Sequence, residues 1–412
     1  MNYRFLTFLM LFFAAVFCSA AFLPWGFFGH RRINRMAVFT LPPEMIRFYK
    51  NNIEFITEHA VDPDKRRYAT KHEAVRHYID IDHWGTYPFP EVPRDWTSAL
   101  IKYTTLNVVT NPGDTLRLNV DSWLEEGADE KFLSFRDSLS NKRWLIAKDK
   151  YRSFFKNNIL PNYYEEEWII NCDSLQQVFG DQIACQAAFA EDHFSGYGIL
   201  PYHLLQMQNQ LTEAFRRKSV NRILRLSAEM GHYIGDSHVP LHTTENYNGQ
   251  MTNQVGIHAF WESRIPELFA DETYDFFVGK AEYLDNPAEF FWKTVLESHR
   301  LVDSVLLIEK ELSKSFPSDQ QYCFEERLDN TIRTQCTAYA AAYQARMSGM
   351  VEKRLQQSIL AVGSSWYTAW IDAGQPDLNK LQDKGLSKQE IAEQEDLEKK
   401  FQQGETKGRT HD

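Results

Sequence analysis

The segment GHYIGDSHVPLH, residues 231–242, places three histidines and an aspartate in a stretch that otherwise has the pattern of a core helix. This segment strongly constrains the fold, because polar side chains on a buried helix face need partners there. His232 and Asp236 are four residues apart, so on a helix they lie on one face, close enough to share a metal ion. Pro240 ends or bends the helix, which turns His242 out of register and toward a second ion.

The same spacing recurs downstream in GIHAFWESRIP, where His258 and Glu262 are also four residues apart. Upstream, DPDKRRYATKHEAVRHYIDID supplies Asp62 and, fifteen residues later, His77, and WGFFGH adds His30. Imidazole and carboxylate donors without a thiolate suit zinc in a hydrolytic site better than a structural zinc site. A single histidine of this kind is more often a hydrogen-bonded core residue, but several ligand-type pairs together predict a metal centre.

Most of the remaining sequence has helical periodicity. The exception is 103–120, where LNVVTNPGDTLRLNV alternates around an Asn-Pro-Gly-Asp turn and predicts a β-hairpin. With 43% hydrophobic residues, the chain can bury a substantial core. We therefore expect an all-α, multi-helix fold with a mixed insertion that contains the hairpin. The expected helices cover about 41–57, 199–218, 221–237, 256–268, 287–313 and 326–360.

The charge balance limits the partners. Asp and Glu total 56 against 45 for Lys and Arg, and the net charge of −11 argues against a broad basic surface for a nucleic-acid backbone. A phosphodiester substrate would have to be attracted by local cations. We expect a monomer that forms no stable nucleic-acid complex.

The N-terminus has the pattern of a secretory signal peptide, with Arg4, an apolar run over 5–17 and small residues at 19–21. The run is too short to span a membrane. We expect removal of 1–21 and a periplasmic or secreted protein with no transmembrane segment in the mature chain. Lipid attachment at Cys18 is the alternative, but such signals favour a small residue where Phe17 stands.

Four further cysteines form two pairs, each thirteen residues apart: Cys172 with Cys185, and Cys323 with Cys336. An even number in an exported protein favours two local disulfides over free thiols. Sequence alone leaves three pairings open.

In this order, the motifs resemble those of the zinc-dependent phospholipase C and single-strand-specific nuclease superfamily. The motifs are WGFFGH, the pair Asp62 and His77, GHYIGDSHVPLH, HAFWE and the late SSWYTAWIDAG segment. The resemblance covers about 25–82 and 199–373. It implies an all-helical enzyme with three clustered zinc ions.

The resemblance divides the chain after the signal peptide into two parts. A zinc-dependent phosphodiesterase domain spans 22–375 and contains an insertion at 84–195, and a polar tail follows at 376–412. We expect the tail to be a solvated helix with a frayed end.

Carried over position by position, the resemblance implies ligands for each ion. They are Asp62, His77, His232 and Asp236 for the first; His242, His258 and Glu262 for the second; the backbone of Trp25, His30 and the bridging Asp236 for the third. It also implies a metal-activated water, oriented by Asp62, that attacks phosphorus without a covalent intermediate. Three divalent ions would hold an anionic phosphodiester even on an acidic protein.

The substrate class is ambiguous. Glu262 as the last ligand resembles the phospholipase C branch, whereas Tyr78 and Asp80 resemble an aromatic residue and an aspartate that hold a base in the nuclease branch. Ordinary packing is the other interpretation of Tyr78 and Asp80. We expect phospholipase C-like hydrolysis of phospholipids, with a single-strand-specific nuclease or 3′-nucleotidase as the alternative. A non-catalytic secreted zinc-binding protein would require a missing ligand, and none is missing.

Overall fold

The computed structural model describes residues 27–110, 113–122, 132–180, 183–327, 330–381, 388–404 and 407. These residues form two compact units. The first is built from the chain up to His83 and from Ile199 onward, and the second is Trp84–Gly198. The expected signal peptide, Cys18 and Trp25 lie outside the described residues.

Helices make up most of the described chain. The α-helices are α1 (Phe27–Ala37), α2 (Pro43–Asn51), α3 (Ile53–Glu58), α4 (Asp62–Arg66), α5 (Lys71–Ala74), α6 (Trp96–Tyr103), α7 (Lys148–Phe154), α8 (Cys172–Phe179), α9 (Leu200–Arg216), α10 (Val220–His238), α11 (Ile257–Ala259), α12 (Ile265–Thr273), α13 (Pro287–His299), α14 (Val302–Ser315), α15 (Thr337–Arg346), α16 (Met350–Asp372) and α17 (Lys388–Gln403). The strands are β1 (Thr104–Val109), β2 (Thr115–Ser122), β3 (Phe132–Asp137), β4 (Arg143–Ala147), β5 (Trp168–Ile170), β6 (Ala187–Asp192), β7 (Tyr322–Arg327) and β8 (Asn330–Gln335).

The chain is mostly helical but not all-α, which corrects the fold class expected from the sequence. The expected hairpin is present as β1 and β2, with Leu106 opposite Leu118. It is the middle of a six-stranded antiparallel sheet of order β4-β3-β2-β1-β6-β5 in the second unit. β1 also pairs with β6, which places Leu106 opposite Ala190. Local periodicity does not reveal a pairing between strands so distant in the chain.

The prediction of a helix over 326–360 is wrong in its first part, where the chain forms a β-hairpin. β7 and β8 pair antiparallel with Cys323 opposite Thr334, a β-branched residue that favours a strand. α15 begins only after Cys336. Gly349, with φ of +78°, then separates α15 from α16.

Both local disulfides are formed. The Cα atoms of Cys172 and Cys185 are 5.6 Å apart, and those of Cys323 and Cys336 are 5.0 Å apart. Disulfides persist in oxidising compartments, so the two bonds indicate an extracellular or periplasmic protein. Within the described ranges, no helix is both long enough and apolar enough to cross a membrane.

The core of the first unit surrounds α10, which packs against α9, α16 and α1. Trp366 of α16 stacks on Tyr49 with ring centroids 4.8 Å apart, and its indole N–H donates to the Ser227 carbonyl. α1 approaches α10 so closely that a Cβ at Gly231 would lie 1.9 Å from Oδ1 of Asn34. The absence of a side chain at Gly231 thus permits the contact that brings α1 to α10.

The C-terminal helix α17 differs from the expected solvated tail in one respect. Phe401 is buried against Phe27 and Tyr68, with ring centroids 6.0 Å and 5.2 Å away. Lys65 of α4 pairs with Glu398 at 3.1 Å. The helix is therefore docked on the first unit by one aromatic side chain and by charged contacts.

Candidate metal centre

Eight imidazole and carboxylate side chains of the first unit converge in groups whose ligand atoms lie within 4.8 Å of one another. Helices α1, α4 and α10 supply four of them, and the others follow α5 or lie between α10 and α12. The eight residues are His30, Asp64, His77, His232, Asp236, His242, His258 and Glu262.

The first group joins His77, His232 and Asp236. Nδ1 of His77 lies 3.0 Å from Oδ2 of Asp236 and 3.1 Å from Nε2 of His232. Nε2 of His232 lies 3.4 Å from the same aspartate oxygen, because α10 stays helical and keeps the two residues on one face. Oδ1 of Asp64 is 3.8 Å from Nδ1 of His77 and 3.7 Å from Nε2 of His232, and Asp64 forms a further ligand group with His232 and His30.

The second group joins His242, His258 and Glu262. Oε2 of Glu262 lies 3.3 Å from Nε2 of His242 and 2.7 Å from Nε2 of His258. His258 and Glu262 remain neighbours although the chain passes from α11 into a π-helical turn, Phe260–Arg264. The 3-10 turn that begins at Pro240 positions His242.

The third group lies between the other two. Nε2 of His30 is 3.4 Å from Oδ1 of Asp236 and 3.5 Å from Oε1 of Glu262. Asp236 and Glu262 therefore each direct one oxygen to this group and the other oxygen to a neighbouring group. The sequence predicted a bridging position for Asp236 and missed the one for Glu262.

His30 reaches this position because α10 has a second glycine on the face toward α1. The imidazole of His30 stacks on that of His232 with ring centroids 3.8 Å apart. A Cβ at Gly235 would lie only 3.0 Å from Nδ1 of His30. A larger residue at 235 would push the imidazole away from the two carboxylates.

Backbone carbonyls determine the tautomer of three of the histidines. Nδ1 of His232 contacts the Ala60 carbonyl at 2.9 Å, Nδ1 of His242 contacts the His77 carbonyl at 2.7 Å, and Nδ1 of His258 contacts the Tyr247 carbonyl at 3.2 Å. A carbonyl oxygen only accepts, so each Nδ1 must carry the hydrogen. With the hydrogen on Nδ1, a neutral ring would present the lone pair of Nε2 to its ligand group, which is the usual arrangement of metal-binding histidines.

The electrostatics also favour a bound cation. Burial lowers the pKa of His77 and of His232 well below the usual range, so both rings are neutral near pH 7. Burial and then the carboxylate of Glu262 raise the pKa of Asp236 well above its usual range. Burial raises the pKa of Glu262, but the positive charge of a protonated His242 and hydrogen bonds with His242, His258 and His30 outweigh burial and hold that pKa well below the usual range. In the metal-free site a proton on Nε2 thus holds the position between imidazole and carboxylate that a metal ion could take.

Zinc fits the spacing and chemistry of these donors. Ligands at about 2.0–2.2 Å from a tetrahedral zinc ion lie roughly 3.4 Å from one another. The donor-atom distances given above range from 2.7 to 3.8 Å, and all donors within a group lie within 4.8 Å of one another. Imidazole and carboxylate donors without a thiolate match catalytic rather than structural zinc sites.

Asp62, for which the family resemblance implies binding of the first ion and a catalytic role, lies outside all four ligand groups. Its Oδ2 contacts Nδ1 of His59 at 2.6 Å, and its Oδ1 is 4.0 Å from Nζ of Lys65. Asp64 stands in the ligand group instead. The two aspartates are about 200° apart around α4 at 100° per residue, so only one of them can face the centre.

The remaining expected residues have different outcomes. Trp25 lies outside the described residues, so its expected role as a third-site ligand stays a prediction. Tyr78 and Asp80 are 6% and 7% exposed, directly after the ligand His77. Residues 78–80 lie in neither a helix nor a strand, and the N–H of Ile79 donates to the His242 carbonyl at 2.9 Å.

Comparison with known proteins adds no family assignment, because no protein-family model and no curated protein matches this chain. The interpretation of the centre therefore rests on the donor geometry.

Proposed function

We propose that this chain is a zinc-dependent phosphodiesterase that binds three zinc ions and acts on phospholipids in the manner of a phospholipase C. One observation carries the proposal. Backbone carbonyls orient the imidazoles of His232, His242 and His258 so that Nε2 of each ring faces the centre, where the carboxylates of Asp236 and Glu262 each reach two ligand groups. Such donors repel one another at these distances unless a proton or a metal ion lies between them, and a metal ion can satisfy all of them at once.

The resemblance to the phospholipase C and nuclease superfamily supports the reaction class. Zinc in such a centre neutralises phosphate charge and lowers the pKa of a water molecule toward neutrality. The residues of this chain would hold and space the ions, with Asp236 and Glu262 shared between neighbouring positions. The net charge of −11 is no obstacle, because the attraction for a phosphodiester is local.

Phospholipid is the favoured substrate because of two features. Glu262 stands as the last ligand, as in the phospholipase C branch that the sequence resembles. Tyr78 and Asp80, the residues that would hold a base in a nuclease, expose only 6% and 7% of their surface. A base could stack on Tyr78 only after that side chain moved.

Localisation and processing are part of the proposal. The pattern of 1–21 supports export through a signal peptide, with a monomeric periplasmic or secreted product. Intact-mass measurement of the exported protein should give an N-terminus at Ala21 or Phe22. A mass that includes Met1 would contradict cleavage.

Metal removal and reconstitution would test the activity. The chelated protein should hydrolyse neither phosphatidylcholine vesicles nor single-stranded DNA, and added zinc should restore phosphocholine release. Nucleotide release without phosphocholine release would favour the nuclease alternative. Zinc bound with neither product would support the non-catalytic alternative.

A matched pair of histidine variants separates the ligand effect from damage to the fold. His242 and His238 are both buried and close in sequence, but Nδ1 of His238 donates to the Ile234 carbonyl at 2.7 Å and the residue belongs to no ligand group. His242→Gln should lose bound zinc and activity. His238→Gln should keep the zinc content of the unmodified protein, and an equal loss in both variants would contradict the proposed centre.

A further inference from the structure

Glu73 is a fully buried carboxylate next to the first ligand group. It precedes His77 by four residues, and its Oε1 lies 3.8 Å from Nε2 of that histidine. His77 directs Nδ1 to Asp236 and His232, whereas the other histidines of the centre direct Nε2 to their groups. The Nε2 side of the His77 ring therefore faces Glu73.

The orientation of Glu73 is set by three donors. The Tyr233 hydroxyl donates to its Oε1. Its Oε2 accepts from Nη1 of Arg76 at 2.7 Å and from Nε of Arg66 at 3.4 Å. Hydrogen bonds from guanidinium groups to a carboxylate are strong and hold it in a defined plane. Tyr233 follows the ligand His232 in α10, so this arrangement joins two ligand-bearing segments.

We infer that Glu73 is a positioning residue of the metal centre, which attracts the Nε2–H of His77 and thereby presents the Nδ1 lone pair to the ion. A carboxylate behind a ligand histidine fixes its tautomer and ring orientation and raises the basicity of the ligating nitrogen. The inference rests on the proposed zinc centre and adds to it a residue that binds no ion. No sequence spacing in the ligand motifs predicted this role.

A purely structural role for Glu73 makes a different prediction. Glu73 neutralises Arg66 and Arg76, so its loss would also destabilise the fold without acting through His77. Glu229 offers a matched control, because it is another buried carboxylate that accepts from Arg66, at 2.7 Å, and from Arg225, at 2.9 Å. Glu229→Gln disturbs the same arginine without removing the charge that faces His77.

Tyr233→Phe provides a variant with the opposite expected sign. The phenol and the His77 ring both approach Oε1 of Glu73. Removing the hydroxyl leaves that oxygen to His77, so zinc binding should be unchanged or tighter. A structural network would instead be weakened by the loss of any of its hydrogen bonds.

The experiment is a competition titration of each full-length, metal-free variant with zinc against a chromophoric chelator, together with absorption spectra after loading with Co²⁺. Glu73→Gln should bind one zinc about 10–100-fold more weakly and change the Co²⁺ spectrum, as expected for a group behind a ligand. Glu229→Gln should keep the affinity and the spectrum of the unmodified protein, whatever its melting temperature. Glu73→Asp keeps the charge and should bind zinc more tightly than Glu73→Gln.

Two results would overturn the inference: unchanged zinc affinity and Co²⁺ spectrum in Glu73→Gln, or an equal loss of affinity in Glu73→Gln, Glu229→Gln and Tyr233→Phe. If Glu73→Gln does not fold, Glu73→Asp decides by the same two measurements, because the shorter side chain withdraws the carboxylate from His77. Zinc affinity and a Co²⁺ spectrum equal to those of the unmodified protein, or a loss of affinity that Glu229→Gln shares, would count against a positioning role. Failure of the unmodified protein to bind zinc would instead refute the proposed function.

Discussion

Replacing Asp64 by asparagine should weaken zinc binding far more than the same replacement at Asp62. The two side chains are equally exposed, at 14% each, and belong to the same short helix. Oδ1 of Asp64 approaches the ligand nitrogens of His77 and His232 at 3.8 and 3.7 Å. Asp62 contacts His59 on the other side of the helix.

The size of the effect follows from the charge that is lost. Asparagine keeps the shape and one donor oxygen, so the change removes mainly one negative charge next to the ion. A unit charge about 2.1 Å from a divalent ion contributes roughly 4 kcal/mol even at the dielectric constant of water, or about a thousandfold in Kd. The Asp62 contacts are partly exposed ion pairs, each contributing about 1 kcal/mol or less, so Asp62→Asn should change Kd less than about fivefold.

Elemental analysis at controlled free zinc would measure this difference. Both variants are stripped with chelator, reloaded at a series of buffered zinc concentrations and checked for folding by circular dichroism. At low free zinc, Asp62→Asn should retain as many ions as the unmodified protein and Asp64→Asn should retain fewer. The opposite order would refute the structural assignment and restore Asp62 as the ligand that the family resemblance implies.

Three further predictions follow from burial and close packing. Zinc binding at weakly acidic pH should release protons, because burial and then the Glu262 carboxylate raise the pKa of Asp236 well above its usual range, and the ion favours the ionised carboxylate. Calorimetry in buffers of different ionisation enthalpy measures the release, and a binding enthalpy independent of the buffer would contradict it. Burial lowers the pKa of His238 from 6.5 to about 3, so the unfolded chain takes up a proton there as pH falls below 6.5 and the folded protein does not. Between pH 7 and pH 5 the metal-free protein should therefore lose about 2 kcal/mol more stability than His238→Gln, and parallel urea-unfolding midpoints for the two proteins would rule this out. Gly231→Ala should destabilise the fold by about 1–3 kcal/mol, because the new Cβ would lie 1.9 Å from Oδ1 of Asn34. A melting temperature equal to that of the unmodified protein would show that α1 can move away from α10 without cost.

Much of the candidate centre follows from local spacing. A four-residue separation places His232 beside Asp236, and His258 beside Glu262, wherever the chain is helical. Pro240 predicted the change of direction that positions His242. Cysteines thirteen residues apart can meet without help from distant chain segments, and both such pairs formed the expected bonds.

The tertiary structure decided the contacts between segments that are distant in the chain. Asp64 rather than Asp62 faces His77 and His232 because the rotation of α4 about its own axis is set by packing, not by the spacing from Asp62 to His77. Glu262 bridges two groups only because α1 approaches α10 at Gly231 and Gly235 and brings His30 between the carboxylates.

The same distinction applies to the sheet of the second unit. The alternating pattern around one turn predicted β1 and β2, which are neighbours in the chain. The pairing of β1 with β6 needed the intervening segment to fold and return. Sequence periodicity records which face of an element is buried, whereas the partner that buries it is selected by the free energy of packing the whole chain.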